Sequence, residues 1–444
     1  LLRGEGAAPA RRVAVGVLLA AFGLTAASAC SVEKKSDDKK PAGPAAAPQS
    51  GPARGVTDTS VKLGVAATDP AALKALGVPS EGPASKDLYT AWIAAQNKRG
   101  GVQGRQIELA FRPFLPTGPA EAQAACVELS EDKKVFLAIG ILTGDTPLCF
   151  TETHNTPYLG QWGQSAERDR RSKAPFVALE MADDRQRAAA VKALIDQKLL
   201  TGKKVALYWE AQDAAVTKNT VKPLLDAAGI EVVVQTPLDD YGTDQAAGDQ
   251  ALDTLVQKIR SSGADTILNT SNFSNLMIAL QRADWLPGQV YATSAQALSP
   301  AVVKTTGIKP ATMEKVTVAA PYIPTKDELV ADPAVKTCVD EYNAGGVGDT
   351  FDPATASREA LSSVANSCAA FRLFVQATDA AGRDLNAASW QRGAETLSKL
   401  QLPGMPSASL AAGKHSAGDA VGVYRWDGAQ NQMIPAGPPI SATK

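Results

Sequence analysis

Val61-Lys62-Leu63-Gly64-Val65-Ala66-Ala67 is an apolar run, and the residues behind it decide the fold. Asp87-Leu88-Tyr89-Thr90-Ala91-Trp92-Ile93-Ala94-Ala95-Gln96-Asn97 has the composition of a helix. Gly100-Gly101-Val102-Gln103-Gly104-Arg105 and the run Gln106-Ile107-Glu108-Leu109-Ala110-Phe111 follow it. Strand, helix, turn and strand in this order are the βαβ unit of a parallel sheet. The glycines suit a helix end and a tight turn, where positive φ is needed.

The same alternation continues outward. A helix is expected over 120–130 and a strand over 135–140, where Val135-Phe136-Leu137-Ala138-Ile139-Gly140 is continuously apolar, as buried parallel strands are. A short strand, Pro157-Tyr158-Leu159-Gly160, comes next. Further helices are expected over 185–198, 214–229, 249–262, 274–283, 333–344 and 357–381. Strands are expected over 204–209, 230–234, 265–270, 289–293 and 421–428. Repeated βαβ units predict right-handed, doubly wound α/β layers.

Asn97-Lys98-Arg99-Gly100-Gly101-Val102-Gln103-Gly104-Arg105 resembles the N-x-x-G-G-V-x-G-R turn of type I periplasmic solute-binding proteins, the leucine/isoleucine/valine-binding group of ABC importers. Gly55-Val56-Thr57-Asp58-Thr59-Ser60-Val61-Lys62-Leu63-Gly64-Val65 is similar to the start of their mature domain. The resemblance extends over roughly 56–435. It implies two doubly wound parallel-sheet lobes joined by three crossovers. The first resembles Ala174–Glu180, the second Val316–Tyr322, and the third falls within 402–413. The implied division is a signal peptide over 1–29, a lipoprotein tether over 30–55, one lobe from 56–180 with 322–405, and another from 181–321 with 406–440.

With Leu1 in first place, the start of the precursor is expected upstream. Arg11-Arg12, an apolar run over 13–21 and Ala27-Ser28-Ala29-Cys30 have the layout of a secretory signal. The last four residues are similar to a bacterial lipobox, which makes Cys30 the candidate lipidation site; an ordinary secretory signal with unmodified Cys30 is the alternative. Residues 31–54 are rich in Lys, Asp, Ala, Pro and Gly and are expected to be a flexible tether. The formal net charge of −1 gives no case for nucleic acid as a partner.

Cys126, Cys149, Cys338 and Cys368 are an even set in an exported chain and suggest two disulfides. Pairing Cys126 with Cys149 and Cys338 with Cys368 is one of three connectivities, and four free thiols are the alternative. A bridge placed like the first occurs in the resembling family. The ligand spacings of compact zinc sites are missing, and neither metal nor cofactor is expected.

The sequence has no G-x-S-x-G, H-E-x-x-H, G-x-x-x-x-G-K-[ST] or G-x-G-x-x-G. His154 reads as a solvated loop residue or a ligand contact, and His415 as structural or exposed. Binding groups are more evident, because ligands of open α/β sheets sit beyond the carboxyl ends of strands. Thr143, Gly144 and Ser165 offer hydroxyl and backbone N–H donors at such ends. Asp145 is a candidate acceptor for an ammonium or a turn cap, Gln161 shares its loop, and Trp162 is a pocket wall or a packing residue. On later strand ends the candidates are Trp209, Glu210, Asp213, Ser271, Asn272, Phe273 and Gln296, with Tyr322 in the second crossover.

The resembling family places a Tyr-Gly pair near Asp213-Ala214, which this sequence lacks. Trp209 and Tyr241 are substitutes for it or core residues. The expected function is a non-enzymatic, lipid-anchored, monomeric solute-binding component that presents a small polar or amphipathic solute, an amino acid or amide first, to an ABC permease at the outer face of the cytoplasmic membrane. A ligand-sensing receptor domain of the same fold is the alternative, followed by a cell-envelope enzyme.

Overall fold

In the computed structural model, the described residues are 53–68, 73–74, 81–115, 118–241, 244–298, 302–303 and 306–442. The expected signal, Cys30 and nearly all of the expected tether lie outside them.

The opening unit folds as its sequence predicts. β1 (Ser60–Thr68) pairs in parallel with β2 (Gln106–Phe114), and α1 (Ser85–Lys98) connects them. Its apolar side, Leu88, Tyr89, Trp92 and Ile93, is buried against the sheet and later helices. Asn97 holds the return. Its side-chain amide donates to Ile107 O (3.0 Å), while Ile107 N donates to Asn97 Oδ1 (2.8 Å). Gly101 has φ +73°, and a Cβ there would lie 1.8 Å from Arg105 O, so the second glycine of the turn cannot carry a side chain. Arg105 is itself buried and donates from Nε to Thr57 O (2.6 Å). The turn motif is therefore structural.

β3 (Leu137–Gly140), β4 (Tyr158–Gly160) and β5 (Phe176–Ala178) complete a five-stranded, wholly parallel sheet in the order β2-β1-β3-β4-β5. α2 (Pro119–Val127) precedes β3, and α3 (Ala166–Arg171) lies between β4 and β5. The chain then leaves through Leu179–Ala182 and enters α4 (Asp183–Asp196) on a second sheet.

That sheet has eight strands, seven of them in the order β12-β11-β10-β9-β8-β6-β7, with β13 (Ile440–Ser441) beside β11. β6 (Lys204–Glu210), β7 (Glu231–Leu238), β8 (Thr266–Asn269), β9 (Gln289–Ala292) and β10 (Val316–Pro321) are parallel. β11 (Ala420–Asp427) and β12 (Gln432–Pro435) are antiparallel additions at one edge. α5 (Lys222–Ala227), α6 (Gln245–Ser261) and α7 (Phe273–Arg282) supply crossovers. The helix expected over 214–229 is continuous in outline, but it loosens to a wider turn at Thr217–Val221 before α5.

After β10 the chain returns to the first sheet through α8 (Lys326–Ala331), α9 (Pro333–Gly345), α10 (Arg358–Ala381) and α11 (Ala387–Glu395). Leu329, Val335 and Leu361 join the core of β1 and α1. The chain then passes back to β11, making three passages between two separately packed sheets. Disulfides join Cys126 to Cys149 and Cys338 to Cys368. The first ties α2 to the turn after β3, and the second ties α9 to α10. No helix among the described residues is long and apolar enough to cross a membrane.

Candidate functional site

The carboxyl ends of β1, β3, β4 and β5 open onto a cavity of about 840 Å³. This lies within the range of small-molecule sites. All three passages run along its wall, at Leu179–Met181, Pro321–Pro324 and both Gly404–Ser407 and Gly418–Ala420. The second sheet contributes Ala295, Gln296 and Leu298, from the segment after β9.

Local sequence explains the geometry at the strand ends. Gly160 ends β4, and a Cβ there would lie 2.8 Å from Trp162 O, so glycine lets the chain fold back and bring Gln161 and Trp162 to the wall. Leu179 N donates to Gly160 O (2.9 Å) and Glu180 N to Gln161 O (2.8 Å), which extends the sheet pairing beyond β5 and places Glu180 beside them. α10 supplies the opposite polar surface. Arg358, Ser362 and Asn366, with Glu359, Ser363 and Ser367, form two rows at helical i, i+4 spacing that face the cavity. Val65, Ile139, Leu179 and Leu298 add apolar surface.

The charges on this wall are unequal in their surroundings. Arg358 is held by Glu359, with Nη2 to Oε1 at 2.9 Å. Asp419 is fully buried and pairs with Arg185 (2.9 Å) and Lys414 (3.0 Å). Glu180 is different: burial pushes its carboxyl up to about 7, the nearby Asp183 charge adds to the rise, and a hydrogen bond from the Gln161 side chain opposes it. No lysine or arginine pairs with Glu180 among the described residues. The Trp162 indole N–H is also buried, with no hydrogen-bond partner among the described residues.

Of the residues singled out from sequence, Gln161, Trp162, Gln296 and Tyr322 line the cavity. Tyr322 donates its hydroxyl to Glu328 (2.7 Å). The other candidates are placed elsewhere, in two groups. Thr143, Gly144 and Asp145 are exposed in the turn after β3. Asp145 meets Arg168 (2.9 Å) and Arg171 (2.7 Å), and the Arg168 hydrogen bond leads in holding its carboxyl below the usual range. Ser165 caps α3 by accepting from Arg168 N (3.3 Å).

The second group is a polar network at the ends of β6 and β8. Glu210 accepts from Tyr208 (3.2 Å), Gln212 (2.7 Å) and Asn275 (3.1 Å). Ser271 Oγ accepts from Glu210 N (2.8 Å) and donates to Asp213 (2.6 Å), which also meets Arg187 (3.2 Å). Asn272 caps α7. Trp209 and Phe273 are buried in the second sheet's core, and Tyr241 packs there in part.

His154 meets Glu131 (2.8 Å). It lies close to Cys126 and Cys149, but those sulfurs are joined to each other and offer no thiolate to a metal. His415 bridges Asp169 (2.7 Å) and Glu395 (2.9 Å), and the Asp169 hydrogen bond leads in raising its pKa.

Sequence reading passed over Glu180 and the α10 rows. Their signals were present: Glu180 is an isolated acid after the apolar run Phe176-Val177-Ala178-Leu179, and Ser362, Asn366 and Ser367 interrupt an otherwise apolar helix at turn spacing.

A family model described as periplasmic binding protein matches residues 60–431. No curated protein sequence matches the chain. Among solved structures, a solute-binding protein of an ABC transporter from Rhodopseudomonas palustris, in complex with 4-hydroxybenzoate, is similar at TM-score 0.58 and 16% identity, covering 86% of this chain and 96% of that one. An ABC transporter substrate-binding protein from Desulfitobacterium hafniense in complex with leucine is similar at TM-score 0.58 and 15% identity, covering 85% and 99%. A leucine-binding protein from Thermotoga maritima gives TM-score 0.58 and 15% identity, covering 86% and 99%.

Proposed function

The chain belongs to the periplasmic binding protein family, and from that premise we propose that it is the exported, lipid-anchored solute-binding component of an ABC importer. The observation that carries this reading is the cavity at the ends of β1, β3, β4 and β5, bordered by all three passages between the sheets. In this reading 56–180 with 322–405 form one lobe and 181–321 with 406–440 the other. The passages act as the hinge. A solute that touches both lobes favours the closed form by its differential affinity for that form.

Apolar surface from Val65, Ile139 and Leu298 beside hydroxyl, amide and charged groups suits a small amphipathic solute. The 4-hydroxybenzoate and leucine held by two similar proteins are solutes of that kind. For this chain an amino acid or amide is the first choice. Ala27-Ser28-Ala29-Cys30 supports acylation of Cys30, which would tether a monomeric body outside the membrane next to its permease. Thermal-shift screening, followed by calorimetry, over amino acids, amides, aromatic acids, nucleosides and sugars tests solute capture. One class should raise the melting temperature with saturable binding and come back unchanged; no shift with any class would count against the reading. Mass measurement of the chain expressed in a bacterium tests the diacylglyceryl group on Cys30.

A further inference from the structure

We propose that Glu180 is the recognition residue for a cationic head group, so that the preferred solute is a small organic amine with a partly apolar body. The inference rests on solute capture in the cavity and adds the charge of the guest.

Three observations carry it. First, Glu180 lies on the cavity wall at the first passage, half-buried, and no cation pairs with it among the described residues. An acid so placed lacks the compensation that a buried carboxylate ordinarily has, and an incoming ammonium supplies it. Second, the other charges on the wall do not offer a matching site for an anion. Arg358 is the one cation among the described lining residues, and Glu359 occupies it at 2.9 Å. Asp419 is already matched by Arg185 and Lys414. Third, Trp162 and Tyr322 give the wall aromatic faces, which attract ammonium groups.

Gln161 positions the carboxylate. Its main-chain carbonyl receives Glu180 N (2.8 Å), and its side chain favours the ionised carboxyl, whose acceptor capacity serves the guest. The apolar surface from Ile139 and Leu179 then accepts the hydrocarbon body.

The test is calorimetry of the full mature chain with three matched probes: 2-phenylethylamine, 3-phenylpropanamide and 3-phenylpropionate. The amine should bind at least ~10-fold more tightly than the amide or the anion, the size expected of one charge-assisted hydrogen bond. Glu180→Gln should remove that preference, bringing the amine to within about threefold of the amide. Wild-type chain supplies a second readout that needs no variant: amine binding should release protons near pH 7, so the apparent enthalpy should differ between phosphate and Tris. Preference for the anion or the amide, or an amine preference that survives in a folded Glu180→Gln chain, overturns the inference and leaves solute capture standing. Absence of binding by all three also overturns it, and solute capture is then judged by the broader screen.

Discussion

Glu180 N donates to Gln161 O at 2.8 Å, and the Gln161 side chain opposes the rise of the Glu180 carboxyl. The main-chain bond prolongs the sheet one step past β5 and so sets an acid at the cavity wall. Strand pairing thus sets the position of a group that packing alone would have excluded from this environment.

The energetic consequence has a definite sign. Burial leads in raising the Glu180 carboxyl from its ordinary value of 4.5 to about 7. The groups facing it are Gln161 and Asp183, and Asp183 in turn meets Arg168 at 3.1 Å. A raised acid gives its full contribution to stability below the unfolded value and loses it as pH rises through the folded value. Unliganded Glu180→Gln should therefore match wild type near pH 4.5 and exceed it by about 1–2 kcal/mol above pH 7.5, the half-buried position limiting the gain. Urea unfolding at both pH values checks this; equal gains at both would refute burial as the cause.

His415 should respond in another window. It joins Asp169 on α3 to Glu395 at the end of α11, at 2.7 and 2.9 Å, and Ala178 N donates to its carbonyl. Its raised pKa means that the charged pairs stabilise the fold fully below 6.5 and lose that contribution as pH rises through the higher folded value. His415→Gln should lower the melting temperature at pH 6 more than at pH 9. Equal losses at the two pH values would show that the imidazole acts through packing alone.

The two disulfides close sequence separations of 23 and 30 residues. Chain-entropy models give about 3 kcal/mol for each. Replacing both partners of one bridge by Ser should cost about that amount. All four cysteines are buried, Cys149 at 6% exposure and the other three at 0%, so each replacement adds a packing loss, slightly larger for Cys338 and Cys368. Chemical denaturation of the two double variants measures the difference.

Gly101 and Glu180 show what sequence could and could not reveal. Gly101 belongs to a turn whose glycine and Asn97 are set by contacts close by in sequence, so the motif specified the βαβ unit before any distant contact was considered, whereas the Arg105 side chain is fixed by Thr57 and Arg383 from far along the chain. The continuous apolar runs of β3 and β6 were equally legible. The cavity was not, because it is assembled from strand ends, α10 and three passages that are far apart in sequence. The strand-end rule selected Gln161, Trp162 and Gln296 on the wall, but it also selected Trp209 and Phe273, which are core residues. It had no means of choosing which strand ends face the cavity.

The polar network around Glu210 supplies the sharpest contrast between holding the fold and holding a guest. Its carboxylate accepts from Tyr208, Gln212 and Asn275, and its backbone N–H is taken by Ser271. Both carboxylate oxygens are thus engaged within the second sheet and its helices, and Glu210 is 7% exposed. Glu210→Ala would leave several of these donors unpaired and should cost about 2–3 kcal/mol in stability. Its effect on solute affinity should stay within about twofold at a temperature where the chain remains folded. Gln161→Ala should do the opposite: Gln161 is partly exposed at the cavity wall, so stability should change by less than about 1 kcal/mol, while affinity for an amine should fall several-fold as the Glu180 carboxylate loses the side chain that favours its ionised form. Parallel unfolding and calorimetry on the two variants decide the matter. A large affinity loss from Glu210→Ala with Gln161→Ala silent would move the binding site from the ends of β4 and β5 to those of β6 and β8.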